Sequence, residues 1–200
     1  MRWEGEFRVP GAPEDVVLEF ADARRMARHM PGAEITGEEE DGTLSGTLTV
    51  SFGPKRLVFK GKARCEADMA GLNGRIIGQG ASDMRAARFK VELSWKLAPD
   101  TAAHAPATVV SLISEAALQG VLADFARTGG PVVAGLMTEE FATRLRRDLE
   151  ARQAGDVYLP DKNSGDHISA GRIAGAVAKD AAKRAGQSIT GLFRRGGKNE

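Results

Sequence analysis

At 200 residues with a formal net charge of +1, the chain has length for one domain with a sizeable core plus an appendage, and two full domains would be crowded. Residues 1–165 hold 21 Lys+Arg against 24 Asp+Glu and residues 166–200 hold 7 against 3, so a body of −3 precedes a tail of +4. That balance speaks against a nucleic-acid-binding body and for an anionic partner of the tail.

A single cysteine, Cys65, leaves no internal disulfide and no argument for an oxidising compartment. Met1-Arg2-Trp3-Glu4 meets charge at once, without an apolar signal core, so export by a cleaved peptide is not expected. The longest uncharged apolar stretch, around Pro131 to Met137, falls far short of the roughly 20 residues that span a bilayer. A soluble or peripheral, cytoplasmic protein is the expectation.

In chain order, Trp3, Gly5, Phe7 and Val9 alternate with charged residues, which predicts a first strand with one wet face. Pro13, the acids Glu14 and Asp15, and apolar Val17, Leu18 and Phe20 predict a short helix, and Asp22 to His29 a second. Glu38 to Asp41 reads as a solvated turn. Five further strands follow by their period of two: 44–52, 57–67 after a Gly53-Pro54 turn, about 75–81, 87–97 and 108–118. Cys65 is in phase with Phe59 and Ala63, as a buried small residue would be.

At Gly129-Gly130-Pro131 a long helix begins, and Val133, Met137, Phe141, Leu145 and Leu149 recur at fours to about Ala151, opposite Glu139, Arg146 and Glu150. That stripe must lie on the sheet, giving an α+β layout. The domain therefore covers residues 1–151, followed by a linker, 152–167, and a basic amphipathic segment, 168–195. In that segment Arg172, Lys179, Lys183 and Arg194 oppose Leu192 and Phe193, but four glycines weaken it as a helix in water.

Val9-Pro10, the Met30-Pro31-Gly32-Ala33-Glu34 turn, Gly53-Pro54 before Phe59-Lys60-Gly61-Lys62, the Gly78-Gln79-Gly80 strand and the final helix through Phe141 carry a likeness. Over residues 1–150 the chain resembles the CoxG-like family of carbon monoxide dehydrogenase accessory subunits, within the START-like (SRPBCC), helix-grip superfamily. The resemblance implies a curved seven-stranded antiparallel sheet around a long C-terminal helix, with an apolar cavity between them. It also implies an accessory role beside a carbon monoxide dehydrogenase-like molybdenum hydroxylase. Ala33 departs from the family pattern, which has cysteine after the Pro-Gly turn, so any role of that thiol is absent here.

An apolar stripe is usually packed core. With the implied cavity, Phe59, Val91, Trp95, Val133, Met137 and Phe141 become the candidate ligand-binding residues. No catalytic set and no metal site is expected, because His29, His104 and His167 share no ligand spacing. Gly78-Gln79-Gly80 opens no helix and cradles no phosphate. For the tail, an anionic membrane surface, met by Arg172, Lys179, Lys183, Leu192, Phe193 and Arg194, competes with an acidic protein partner and with a solvated extension.

The reading is a non-enzymatic protein that holds a hydrophobic small molecule at the inner face of the cell membrane, with no cofactor beyond a bound quinone or other lipophilic ligand. An apolar cavity joined to a basic tail leads to the inference that the ligand is a quinone or that the protein recruits the enzyme to the membrane where quinone resides, since electrons from such a hydroxylase must reach a membrane-dissolved acceptor. The alternatives are a cyclase or hydrolase, for which Glu115, Gln119 and Asp124 are the candidate acids and polar groups, and a ligand-free assembly factor.

Overall fold

The computed structural model describes residues 1–52, 55–82 and 86–156. The Gly53-Pro54 turn, most of the linker and the whole segment 168–195, with Arg172, Lys179, Lys183, Leu192, Phe193 and Arg194, lie outside the described residues. Strand β1 (Arg2–Pro10) leads to helices α1 (Pro13–Phe20) and α2 (Ala23–His29). Strands β2 (Ala33–Glu38), β3 (Leu44–Phe52), β4 (Lys55–Asp68), β5 (Asn73–Ala81), β6 (Arg88–Pro99) and β7 (Ala107–Gln119) follow, then α3 (Val121–Thr128) and α4 (Gly130–Gln153).

All strands pair antiparallel in one sheet of order β1-β7-β6-β5-β4-β3-β2. Every pairing except β1 with β7 joins sequence neighbours, so short reversals build most of the sheet. The alternation has the cause expected of it: Phe59, Val91, Trp95, Val110 and Leu112 turn towards α4, while Lys60, Lys90, Lys96 and Glu115 face solvent.

Two elements are absent from the periodicity reading. In β2 a bulge between Ile35 and Gly37 breaks the period of two, and Ile35 is the one large apolar residue of the strand. Helix α3 is a two-turn element that fills the connection between β7 and α4. In α1 the expected apolar Leu18 is exposed, and Glu19 is buried in its place, turned inward by the guanidiniums it binds.

Local chemistry starts the helices where the chain needs them. Asp22 accepts from Arg24 N and Arg25 N and so caps α2. Gly32 has φ +77°, and a Cβ there would sit 2.2 Å from Thr49 O, so the turn that brings β2 back beside β3 admits only glycine.

The interior divides into two packed clusters. Phe7, Val16, Phe20, Trp95, Val110 and Leu145 belong to one, and Leu57, Phe59, Ala87 and Leu122 form the other. Fully burying a leucine such as Leu145 contributes about 2 kcal/mol. The C-terminal half of α4 is locked into the first cluster by Ala142 and Leu145. Arg146 Nη2 fastens the same stretch to β1 by donating to Arg8 O at 2.9 Å.

Candidate functional site

Between the two clusters, the N-terminal half of α4 stands off the sheet and leaves a hollow of about 320 Å³. Val133, Ala134 and Met137 form its helical wall, Val91 and Leu93 part of its sheet wall, and Phe141 closes one end. At the other end lie Val50, Leu118 and Leu122. Among the described residues its side-chain lining is hydrocarbon and methionine thioether apart from the Ser114 and Thr138 hydroxyls and the Trp3 indole nitrogen. An adjoining space of about 220 Å³ lies under α2, and Met26, Met30, Phe59 and Phe89 border both. The larger hollow is near the lower limit of small-molecule pockets, which run from about 300 Å³.

Glycines and rings shape the partition. Phe59 and Phe89 meet edge to face at 5.4 Å. A Cβ on Gly80 would lie 2.6 Å from Phe89 Cε1, so glycine at 80 lets that ring rest against the sheet.

Five of the six residues read from the sequence as ligand-binding, Phe59, Val91, Val133, Met137 and Phe141, line this hollow. Trp95 does not. It is 2% exposed and packs on Phe20 at 5.3 Å in the first cluster, because β6 carries it past the hollow towards the locked half of α4. The sequence reading omitted Phe89, Met26 and Met30. Met26 sits on α2 and Met30 just past its end, and nothing in the sequence shows that α2 folds over the sheet.

Glu115 and Gln119 are exposed on the outer face of β7, and Asp124 is exposed on α3. Glu115 pairs with Arg2 at 3.0 Å. None of the three lines the hollow. Cys65 is half-buried and donates to Phe20 O at 3.1 Å, and burial, then Asp22 and Glu66, push its thiol pKa up. It is an inert packing residue.

Behind Phe141 lies a buried ionic cluster. Glu19 Oε1 accepts from Arg152 Nη1 at 2.6 Å and from Arg25 Nη1 at 3.0 Å, and Arg152 also holds Asp148. His29 Nε2 lies 3.4 Å from Asp148 Oδ2 and 3.7 Å from Glu19 Oε2, and neither ring nitrogen makes an aligned hydrogen bond. The His29 ring meets Phe141 edge-on at 6.0 Å. Burial pushes the Glu19 carboxyl up, but His29, Arg152 and Arg25 more than reverse this and hold it well below the usual carboxylate range.

Glu19, His29 and Asp148 place ligand atoms within 4.8 Å of one another, a donor set that the histidine spacing did not reveal. Both carboxylates are already held by guanidiniums, which would have to leave before a cation could enter. The cluster therefore acts as an ionic staple across α1, α2 and α4.

No family model matches the chain, and neither does any curated protein. Among solved structures it resembles a conserved protein of Geobacillus kaustophilus, 14% identical with a TM-score of 0.64 over 75% of this chain and 95% of that one. The fold is the helix grip. A protein of Thermus thermophilus is similar at 20% identity and a TM-score of 0.50, over 78% of this chain and 98% of that one. The di-domain ARO/CYC BexL from the BE-7585A biosynthetic pathway is similar at 15% and 0.51, over 76% of this chain and 47% of that one. Identities this low speak for the helix-grip architecture alone.

Proposed function

We propose that the protein is a non-enzymatic carrier or sensor of one hydrophobic small molecule, held between α4 and the sheet. The observation that supports this is the hollow itself, about 320 Å³ of largely apolar space that α4 leaves open while its other half is tightly packed. Closing it would bury further apolar area at about 25 cal/mol per Å², so an empty hollow forgoes stability that a guest supplies. A flat, weakly polar ring system such as a quinone head group suits that lining.

The CoxG-like resemblance of the sequence extends this reading to an accessory protein of a molybdenum hydroxylase. The +4 tail extends it to the inner face of the cell membrane, where a lipophilic acceptor resides. An enzymatic alternative, which the similarity to BexL brings forward, needs polar groups converging on the guest. The two hydroxyls of Ser114 and Thr138 are a poor basis for acid–base work.

Solvent extraction and mass spectrometry of the purified protein test the carrier reading. A lipophilic species is expected from the native chain, and its repeated absence overturns the proposal. For the partner, co-purification of a molybdenum hydroxylase with the tagged chain is expected. Flotation with anionic liposomes, lost when residues 166–200 are removed, is expected for the tail.

A further inference from the structure

The outer face of the sheet carries a second feature, unconnected with the hollow. Strand register sets out two adjacent rows across β3 to β7: Thr47, Lys60, Ala81, Arg88 and Gln119, then Ser45, Lys62, Gln79, Lys90 and Ala117. Strands lie about 4.8 Å apart and rise about 3.3 Å per residue, so Lys60, Lys62, Arg88 and Lys90 stand at the corners of a rectangle of about 10 by 7 Å. These residues border an open trough of about 810 Å³.

The next rows of the same face are built differently. There Arg2 pairs with Glu4 and Glu115, Arg64 with Glu66, and Arg75 with Glu66 and Glu92. In the rectangle, among the described residues, Lys60, Arg88 and Lys90 have no carboxylate partner. Lys62 binds Glu39, which reaches in from the β2–β3 turn. On a body of net negative charge, half of one sheet face is thus self-neutralised and the other half sets four cations against two carboxylates, Glu39 on Lys62 and Glu34 at the β2 edge of the first row.

We propose that the outward face of β4, β5 and β6 is a docking surface for an acidic segment of a partner protein. Glu39 already shows the geometry by which a carboxylate seats on Lys62. Gln79, Gln119, Ser45 and Thr47 supply neutral donors and acceptors that suit a peptide backbone. Neither row contains an aromatic or a large aliphatic side chain, and the exposed Val58 and Ile77 of the two flanking rows stand singly, whereas a membrane-inserting face would need a cluster of such residues and base stacking would use aromatics. Charge of this kind sets partner choice and association rate. The surface stands whether or not the hollow takes a guest.

Carbodiimide cross-linking of the full chain to a fluorescein-labelled oligo-glutamate peptide, followed by peptide mapping, tests this. Adducts are expected on Lys60, Lys62 and Lys90, and adducts confined to the tail lysines Lys179, Lys183 and Lys198 overturn the proposal. In fluorescence anisotropy the Lys60→Gln, Arg88→Gln, Lys90→Gln triple variant is expected to bind the peptide about tenfold more weakly. An Arg2→Gln, Arg75→Gln control is expected to match the native chain. Unchanged peptide affinity in the triple variant, or a loss restricted to phosphatidylglycerol vesicles, removes the surface as a protein-docking site.

Discussion

Arg152 in the last turn of α4 donates from Nη1 to Glu19 Oε1 of α1 at 2.6 Å, joining residues 133 positions apart in the chain. The contact closes the α1–α2 layer onto the helix that walls the hollow. Glu19→Gln removes one carboxylate from a buried cluster and leaves Arg25 and Arg152 underpaired. Because both arginines are about 40% exposed and can turn to water, the expected loss is about 2 kcal/mol, below that of a fully buried pair. A urea midpoint lowered at unchanged slope checks it.

The same residue makes stability depend on pH. Its folded carboxyl titrates below its unfolded value of about 4.3, so between the two the unfolded chain binds more protons and stability rises with pH. The contribution is complete above about pH 5 and is lost as pH falls below about 4. Urea unfolding over that range is expected to show a shallower pH slope for Glu19→Gln than for the native chain. Identical slopes would assign the dependence to other groups.

Trp3 lines the hollow and Trp95 does not, which provides a spectroscopic readout. A soluble naphthoquinone is expected to quench part of the tryptophan emission, and Trp3→Phe to abolish most of that quenching. Persistent quenching in Trp3→Phe would place the probe elsewhere.

Ala134→Phe puts a ring into the open space from the helical wall. Because the ring fills a void, the stability cost is expected to stay under about 1.5 kcal/mol, while binding of the naphthoquinone falls steeply. Undiminished binding at unchanged fold would show that guests occupy another place.

Asp22→Ala removes the cap of α2, whose Met26 borders both spaces together with Met30 just past its end. The expected destabilisation is about 1 kcal/mol. Faster amide exchange confined to α2 and its neighbours would show that the lid loosens locally, whereas a uniform change would show that α2 unfolds only with the whole domain.

Much of this architecture was legible because its signals are local. The alternation in β4, β6 and β7 and the fours in α4 each report one buried face, and five of the hollow's lining residues follow from those faces. Strand β2 escaped because its bulge breaks the period, and α3 because it is short. Glu19, His29, Asp148 and Arg152 were illegible for another reason: each is an ordinary surface residue type, and only the packing of three helices makes them one cluster. Trp95 was misassigned to the lining because periodicity gives the face of a strand but not the position along it at which α4 lifts away.

Phe141 has the hollow on one side and is held from the others by Phe7, Phe20 and the edge-on His29 ring at 6.0 to 6.1 Å. A guest too long for the chamber gains little room by displacing that ring, because three neighbouring rings resist it. The shared wall of Met26, Met30, Phe59 and Phe89 leads instead to the adjoining space of about 220 Å³, and unbranched methionines yield more readily than packed rings. The chamber thus has one stiff wall and one pliable one. An elongated molecule would be gauged from the stiff wall, with the rest of its length directed under α2.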